Sequence, residues 1–114
     1  TMIAQGADVL YAAAGYTGVG LLQEAQKQGI YAIGVDSDQY FYAEKAVITS
    51  MMKNVDVAVY EYIETYMNST SNEKLLLEFG IAEDGVKLAP IRVLSNSVQL
   101  EEALTKINVN LSQN

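Results

Sequence analysis

Two carboxylates, a lysine and a glycine-rich turn are the parts of this chain whose types and spacing suit chemistry. Asp36 and Asp38 stand in Gly34-Val35-Asp36-Ser37-Asp38-Gln39, at the end of a short apolar run. On an extended chain alternate residues share a side, so either is placed to accept hydrogen bonds from paired hydroxyls, or the two together to hold a hard cation such as magnesium. An Asx-turn or an N-cap accounts for the same spacing without any ligand. Lys53 closes Thr49-Ser50-Met51-Met52-Lys53 and is placed to pair with a carboxylate or donate to a polar ligand, or else to be a solvated surface lysine. Gly15-Tyr16-Thr17-Gly18-Val19-Gly20 follows one apolar run and opens an amphipathic one, so its N–H groups can face a ligand oxygen. Its Gly-x-x-Gly-x-Gly spacing is neither the dinucleotide fingerprint nor a P-loop, and a structural turn explains it equally. Tyr11 and Tyr40-Phe41-Tyr42 offer rings either for a planar ligand or for packing.

These residues need elements to carry them. Met2, Ile3 and Gly6 suggest a last helical turn closed by glycine, and residues 7–14 form an apolar run suited to a strand buried on both faces. Residues 17–28 place Val19, Leu21, Leu22 and Ala25 on one side at helical spacing before the stop at Gly29. Residues 31–35 are a second apolar run, completing a strand, helix, strand unit. Residues 38–45 read as a loop and 46–49 as a short strand. Val55, Ala58, Val59, Tyr62, Ile63 and Tyr66 predict a helix over 55–67, with Asn54 as N-cap, Asp56 in the first turn, and Tyr62 and Tyr66 facing a core. Residues 68–72 have loop composition. Residues 75–79 and 86–91, around Glu83-Asp84-Gly85, suggest a β-hairpin whose end Pro90 weakens. Leu100, Ala103, Leu104, Ile107 and Leu111 mark a C-terminal helix, and the tail 112–114 is expected to fray. The class is α/β: a Rossmann-like parallel sheet with flanking helices, whose ligands lie at the carboxyl edge of the strands.

Composition narrows the chemistry. A chain of 114 residues, half of them apolar, makes one domain with a sizeable core. Seven cations against 14 acids give a net charge of −7, and the cations are scattered singly, so there is no footprint for nucleic acid or an anionic membrane. The absence of cysteine excludes a disulfide scaffold and thiolate chemistry. The absence of histidine removes the commonest general base and metal ligand. No run has membrane-spanning length and no signal peptide is visible. The opening Thr1-Met2-Ile3-Ala4-Gln5-Gly6 looks like a helix end, which predicts a piece of something larger.

Gly6-Ala7-Asp8-Val9-Leu10-Tyr11-Ala12-Ala13-Ala14-Gly15 with Thr17-Gly18-Val19-Gly20, then Tyr31-Ala32-Ile33-Gly34-Val35-Asp36-Ser37-Asp38-Gln39, then Thr49-Ser50-Met51-Met52-Lys53 with Val55-Asp56-Val57-Ala58-Val59-Tyr60, closely resembles the BMP (basic membrane protein) or PnrA-like family. The members are substrate-binding lipoproteins of ABC transporters, and the resemblance extends to about Pro90. It implies a type I periplasmic-binding-protein fold of two hinged lobes that bind purine nucleosides between them, with residues 1–114 forming a single α/β domain, the C-terminal lobe. The family's N-terminal lobe motifs, lipobox cysteine and signal peptide have no counterpart here.

By motif, the resemblance makes Asp36 the acceptor for ribose hydroxyls and Lys53 a donor to the ribose or a brace for Asp36. Gly15 would let backbone approach the ligand, and Tyr11 would stack on the base. Tyr16 stands where glycine is common and so bears on which ligand fits. The implied protein is non-catalytic and needs no cofactor or metal. It works with a transporter permease and is extracytoplasmic, lipid-anchored to the cell membrane in a full-length parent. The lobe alone should expose an apolar cleft-facing surface and could form a homodimer. Two other readings stand beside this one: a ligand-sensing regulatory domain of the same fold, and a magnesium-dependent flavodoxin-like phosphoryl-transfer domain using Asp36, Asp38 and Lys53.

Overall fold

Apolar residues at helical spacing and an adjoining strand dictate where the core lies. The computed structural model describes residues 2–69 and 76–111. Strand β1 (Val9–Tyr11) leads through a 3-10 turn (Gly15–Thr17) into helix α1 (Gly18–Gln28), and the chain returns as β2 (Tyr31–Asp36). Val19, Leu22 and Ala25 of α1 are buried, and Leu22 and Ala25 form one cluster with Leu10, Ala32, Ala43, Ala46 and Val47. Gly29 ends α1 at φ 69°. The N–H of Ile30 donates to the Ala25 carbonyl at 3.0 Å, which satisfies a carbonyl the helix end would orphan.

Residues 37–46 join β2 to β3 (Val47–Lys53) through a further 3-10 turn (Tyr40–Tyr42) instead of a helix. Ala43 and Ala46 carry this loop into the core beside α1, so it does the covering a crossover helix would do. The next elements are α2 (Val55–Asn68), β4 (Val86–Leu88) and α3 (Ser97–Leu111), and the four strands lie in the order β1-β2-β3-β4. The first three are parallel, as the apolar runs predict, and β4 is antiparallel to β3. The flanking-helix α/β class therefore holds, with an antiparallel strand at one edge.

Several boundaries differ from expectation. β1 is only Val9–Tyr11, because this edge strand pairs with β2 alone and only over Val9↔Tyr31 to Tyr11↔Ile33. β3 runs on to Lys53, because β4 supplies a second neighbour for Met51 and Met52 and pairs Lys53 with Val86. That pairing also replaces the expected hairpin: residues 76–79 are not strand, and the Gly85 N–H closes a turn onto the Gly80 carbonyl at 2.9 Å. Leu75, residues 70–72 and the tail 112–114 lie outside the described residues.

Asn54 does not cap α2 with its side chain. It is buried, and its Nδ2 donates to the Asp84 carbonyl at 2.6 Å while its N–H donates to the Gly85 carbonyl at 2.9 Å, which anchors the turn before β4. Helix α2 itself is where expected, but its apolar stripe is not core. Tyr62 is 42% exposed and Tyr66 64%, with Val55, Val59 and Ile63 also exposed. Periodicity shows that a helix has an apolar face, not what covers it. Val9, Tyr11 and Tyr31 are exposed on the sheet as well. Leu10 and Ala32, next to them in register, point to the α1 side. By strand alternation the exposed three share the opposite face.

Truncation therefore has unequal effects along the two helices. Leu22→Ala is expected to lower stability by about 2–5 kcal/mol, whereas Tyr66→Ala should stay within about 0.5 kcal/mol. Urea unfolding followed by circular dichroism measures both, and a large loss for Tyr66→Ala would show that α2 is packed in solution.

Candidate functional site

Parallel pairing sets the geometry of the site. Asp36 ends β2 opposite Met52 of β3, so the next residue, Lys53, emerges beside it at the same carboxyl edge. Lys53 Nζ lies 2.8 Å from Asp36 Oδ1, and both side chains are about half exposed, 57% and 53%. The pair lies on an open edge, not in an enclosed cavity.

Asp36 has φ 69°, a conformation uncommon for any residue but glycine. The Ser37 N–H donates to the Val35 carbonyl at 2.8 Å, so Asp36 is the apex of a three-residue γ-turn with positive φ, a rare and strained form. This turn decides the fate of the expected Asp36–Asp38 pair. Alternation holds only for extended chain, and the reversal at Asp36 sends Asp38 elsewhere. Asp38 Oδ2 meets Arg92 Nη1 at 2.9 Å. Its Oδ1 accepts from the Tyr40 N–H at 3.2 Å, an Asx-turn. Each carboxylate is engaged by its own cation, Asp36 by Lys53 and Asp38 by Arg92. Among the described residues no group of three acidic, histidine or cysteine side chains is placed to hold a metal.

The turn is braced from behind. The Val35 N–H donates to Gln39 Oε1 at 2.9 Å, and the Gln39 N–H donates to Ser50 Oγ at 3.0 Å, both buried. Only glycine fits at position 34 within this brace: a Cβ there would collide with Ser50 Oγ and stand 2.9 Å from Gln39 Cβ. Gln39 belongs to the motif legible in sequence, but the bracing roles of Gly34, Ser50 and Arg92 are not, because the contacts are made across strands.

The remaining candidates frame the same edge. Tyr11 ends β1, 54% exposed, and its phenol is near enough to Lys53 to contribute to raising the lysine's pKa. Gly15 opens the 3-10 turn at φ 53°, where an L side chain would be strained. Tyr16 is 85% exposed. The Gly18 N–H is taken by the carbonyls of Gly15 and Tyr16 and so is satisfied within the turn. Of the aromatic trio, Tyr40 packs its ring 4.5 Å below the Arg92 guanidinium and meets Phe41 edge-on at 5.5 Å. Phe41 itself is 75% exposed.

The class is an α/β sheet with a carboxylate and a lysine paired at the carboxyl ends of adjacent parallel strands, the edge at which open sheets of this kind place ligands. Across residues 1–114 the chain matches the family described as ABC transporter substrate-binding protein PnrA-like, and it belongs to that family. It is similar to basic membrane protein B of Borrelia garinii subsp. bavariensis, 33% identical over 118 residues, covering 94% of this chain and 34% of that protein. The chain thus spans about a third of that relative's length. Among solved structures it resembles an ABC transporter system solute-binding protein from Aeropyrum pernix K1, with TM-score 0.61 and 34% identity, covering 77% of this chain and 25% of that one. It also shares the fold of a transcriptional activator of the comK gene from Bacillus halodurans, with TM-score 0.85 and 22% identity, covering 99% of this chain and 39% of that one.

The hydrogen bond to Asp36, followed by the Asp36 charge, raises the Lys53 pKa above its ordinary 10.5. Because the folded-state value is the higher one, the pair's contribution is fully present below pH 10.5 and is lost as the pH rises through the raised value. At neutral pH the lysine is charged. A carbon-13 NMR titration of Lys53 should place its midpoint above 10.5 and return it toward that value in Asp36→Asn. An identical midpoint in both proteins would mean that the pair does not persist in solution.

Proposed function

We propose that this chain is the ligand-gripping wall of the solute-binding component of an ABC importer, and that the solute is a purine nucleoside held by its ribose. The Asp36–Lys53 pair carries the reading. A carboxylate at a strand edge accepts charge-assisted hydrogen bonds from two vicinal hydroxyls. The ammonium 2.8 Å away fixes its orientation and remains able to donate to the sugar. Tyr11, half exposed on the adjacent strand, supplies a ring for the base. Gly15 keeps the backbone of the opening turn close to the ligand, and Tyr16 stands over the same side as a bulky limit on what enters.

The pair is exposed on one side, so a tight site needs a second wall. In the full-length protein that wall is a further lobe, residues 1–114 being the C-terminal one, and closure about a hinge buries the solute from both sides. The protein then hands the solute to a membrane permease from an extracytoplasmic, lipid-anchored position. Nothing in the role requires catalysis.

Calorimetry on the full-length protein tests the ligand class. A purine ribonucleoside should bind, and its 2′-deoxy analogue should bind about 5- to 150-fold more weakly, because a buried acceptor is left unpaired at roughly 1–3 kcal/mol. Asp36→Ala should weaken the ribonucleoside at least as much. Unchanged affinity in that variant would remove Asp36 from the site.

A further inference from the structure

We propose that Arg92 is a positioning residue for the site: by clamping Asp38 it holds the 35–39 turn so that Asp36 keeps its left-handed conformation facing Lys53. This rests on the ligand role given to Asp36 above, and adds a residue that does not itself reach the ligand-holding pair.

The clamp is built from a distant segment. After β4 the chain stays beside β3: the Ala89 N–H donates to the Ser50 carbonyl and the Arg92 N–H to the Ile48 carbonyl, each at 2.8 Å. Thr49 Oγ1 adds a bond to the Ala89 carbonyl at 2.6 Å. Arg92 is thereby fixed along the strand that also carries Ser50 and Lys53. The next residue, Val93, has φ 72°, an outlier for a β-branched side chain, and such conformations persist only where the surroundings over-determine them.

From this position the guanidinium reaches Asp38 at both oxygens, with Nη1 3.1 Å from Oδ1 and 2.9 Å from Oδ2. It lies 4.5 Å over the Tyr40 ring. The Arg92 and Asp38 side chains are only 29% and 24% exposed, so solvent screens this pair less than the open Asp36–Lys53 pair. Asp38 Oδ1 also holds the Tyr40 N–H. One guanidinium therefore engages the carboxylate and the ring that together define the turn's far end. The Gln39 bonds to Val35 and Ser50 hold its near end. Asp36 lies between the two anchors at φ 69°. Releasing one anchor lets it relax to ordinary backbone and withdraw its carboxylate from Lys53.

The sign of one measurement separates this role from a plain charge effect. Deleting the Arg92 cation, and leaving Asp38 unpaired, would by field alone favour the charged lysine and push the Lys53 midpoint up. Loss of the clamp separates Asp36 from Lys53 and brings the midpoint down toward 10.5. In the 114-residue chain, Arg92→Ala should therefore lower the Lys53 midpoint in a carbon-13 NMR titration. It should also speed hydrogen exchange at the Val35 amide. Arg92→Lys should restore only part of the shift, since an ammonium keeps the charge but not the planar stacking over the Tyr40 ring. Asp38→Asn, which retains the Asx-turn, should lower the midpoint in the same way and add nothing when combined with Arg92→Ala. A midpoint that rises or stays put in Arg92→Ala overturns the clamp.

In the full-length protein, Arg92→Ala should weaken ribonucleoside binding about tenfold, in the range of coupled neighbours. If the wild-type protein binds no nucleoside, the ligand assignment fails while the titration still decides the clamp.

Discussion

Parallel pairing of β2 with β3 is the constraint on which the rest of the site depends. In a parallel ladder both strands deliver their carboxyl ends to one edge, and the register Asp36↔Met52 brings Lys53 alongside Asp36. A shift of one residue would turn Lys53 to the other face of the pleat. The ladder shifts by one residue between Ala32↔Val47 and Ile33↔Thr49, and the register after that irregularity is the one that makes the 2.8 Å ion pair.

Behind that pair, the structure spends polar groups on fixing a strained turn. Gly34 vacates the space that Gln39 and Ser50 occupy, and Gln39 ties the last strand amide to the loop. Arg92 closes the other side from a segment 54 residues away. Every buried side-chain polar atom among the described residues has a partner. A turn built this way presents one carboxylate in one orientation, and preorganisation of that kind lowers the ordering cost of any contact it makes.

The same economy is absent elsewhere. Parallel sheets are normally covered on both faces, yet Val9, Tyr11 and Tyr31 are exposed on one, and α2 leaves its tyrosines in solvent. The chain spans about a third of the length of the curated relative from Borrelia. Uncovered apolar faces of this kind suit a domain that works against another body, and the half-exposed Asp36–Lys53 pair at the strand edge fits the same arrangement.

The sequence by itself determined the local elements and which groups stand as candidates at the strand edge. Helical spacing located α1, α2 and α3, Gly29 located the stop of α1, and the apolar runs located the parallel strands, because these signals are encoded within a few residues of one another. Asp36, Lys53, Tyr11, Gly15 and Tyr16 were legible as candidates, since strand ends and glycine turns are local features too. Only the tertiary structure decided how Asp36 and Asp38 are used, since the positive φ at Asp36 breaks the alternation that would have paired them. It also decided that β4 joins β3 and that Asn54 anchors the neighbouring turn. The uncovered stripe of α2 and the clamp of Arg92 on Asp38 belong to the same class of result. Each depends on which distant segment arrives beside a residue, and amphipathic periodicity specifies only that a face is apolar, not what comes to cover it.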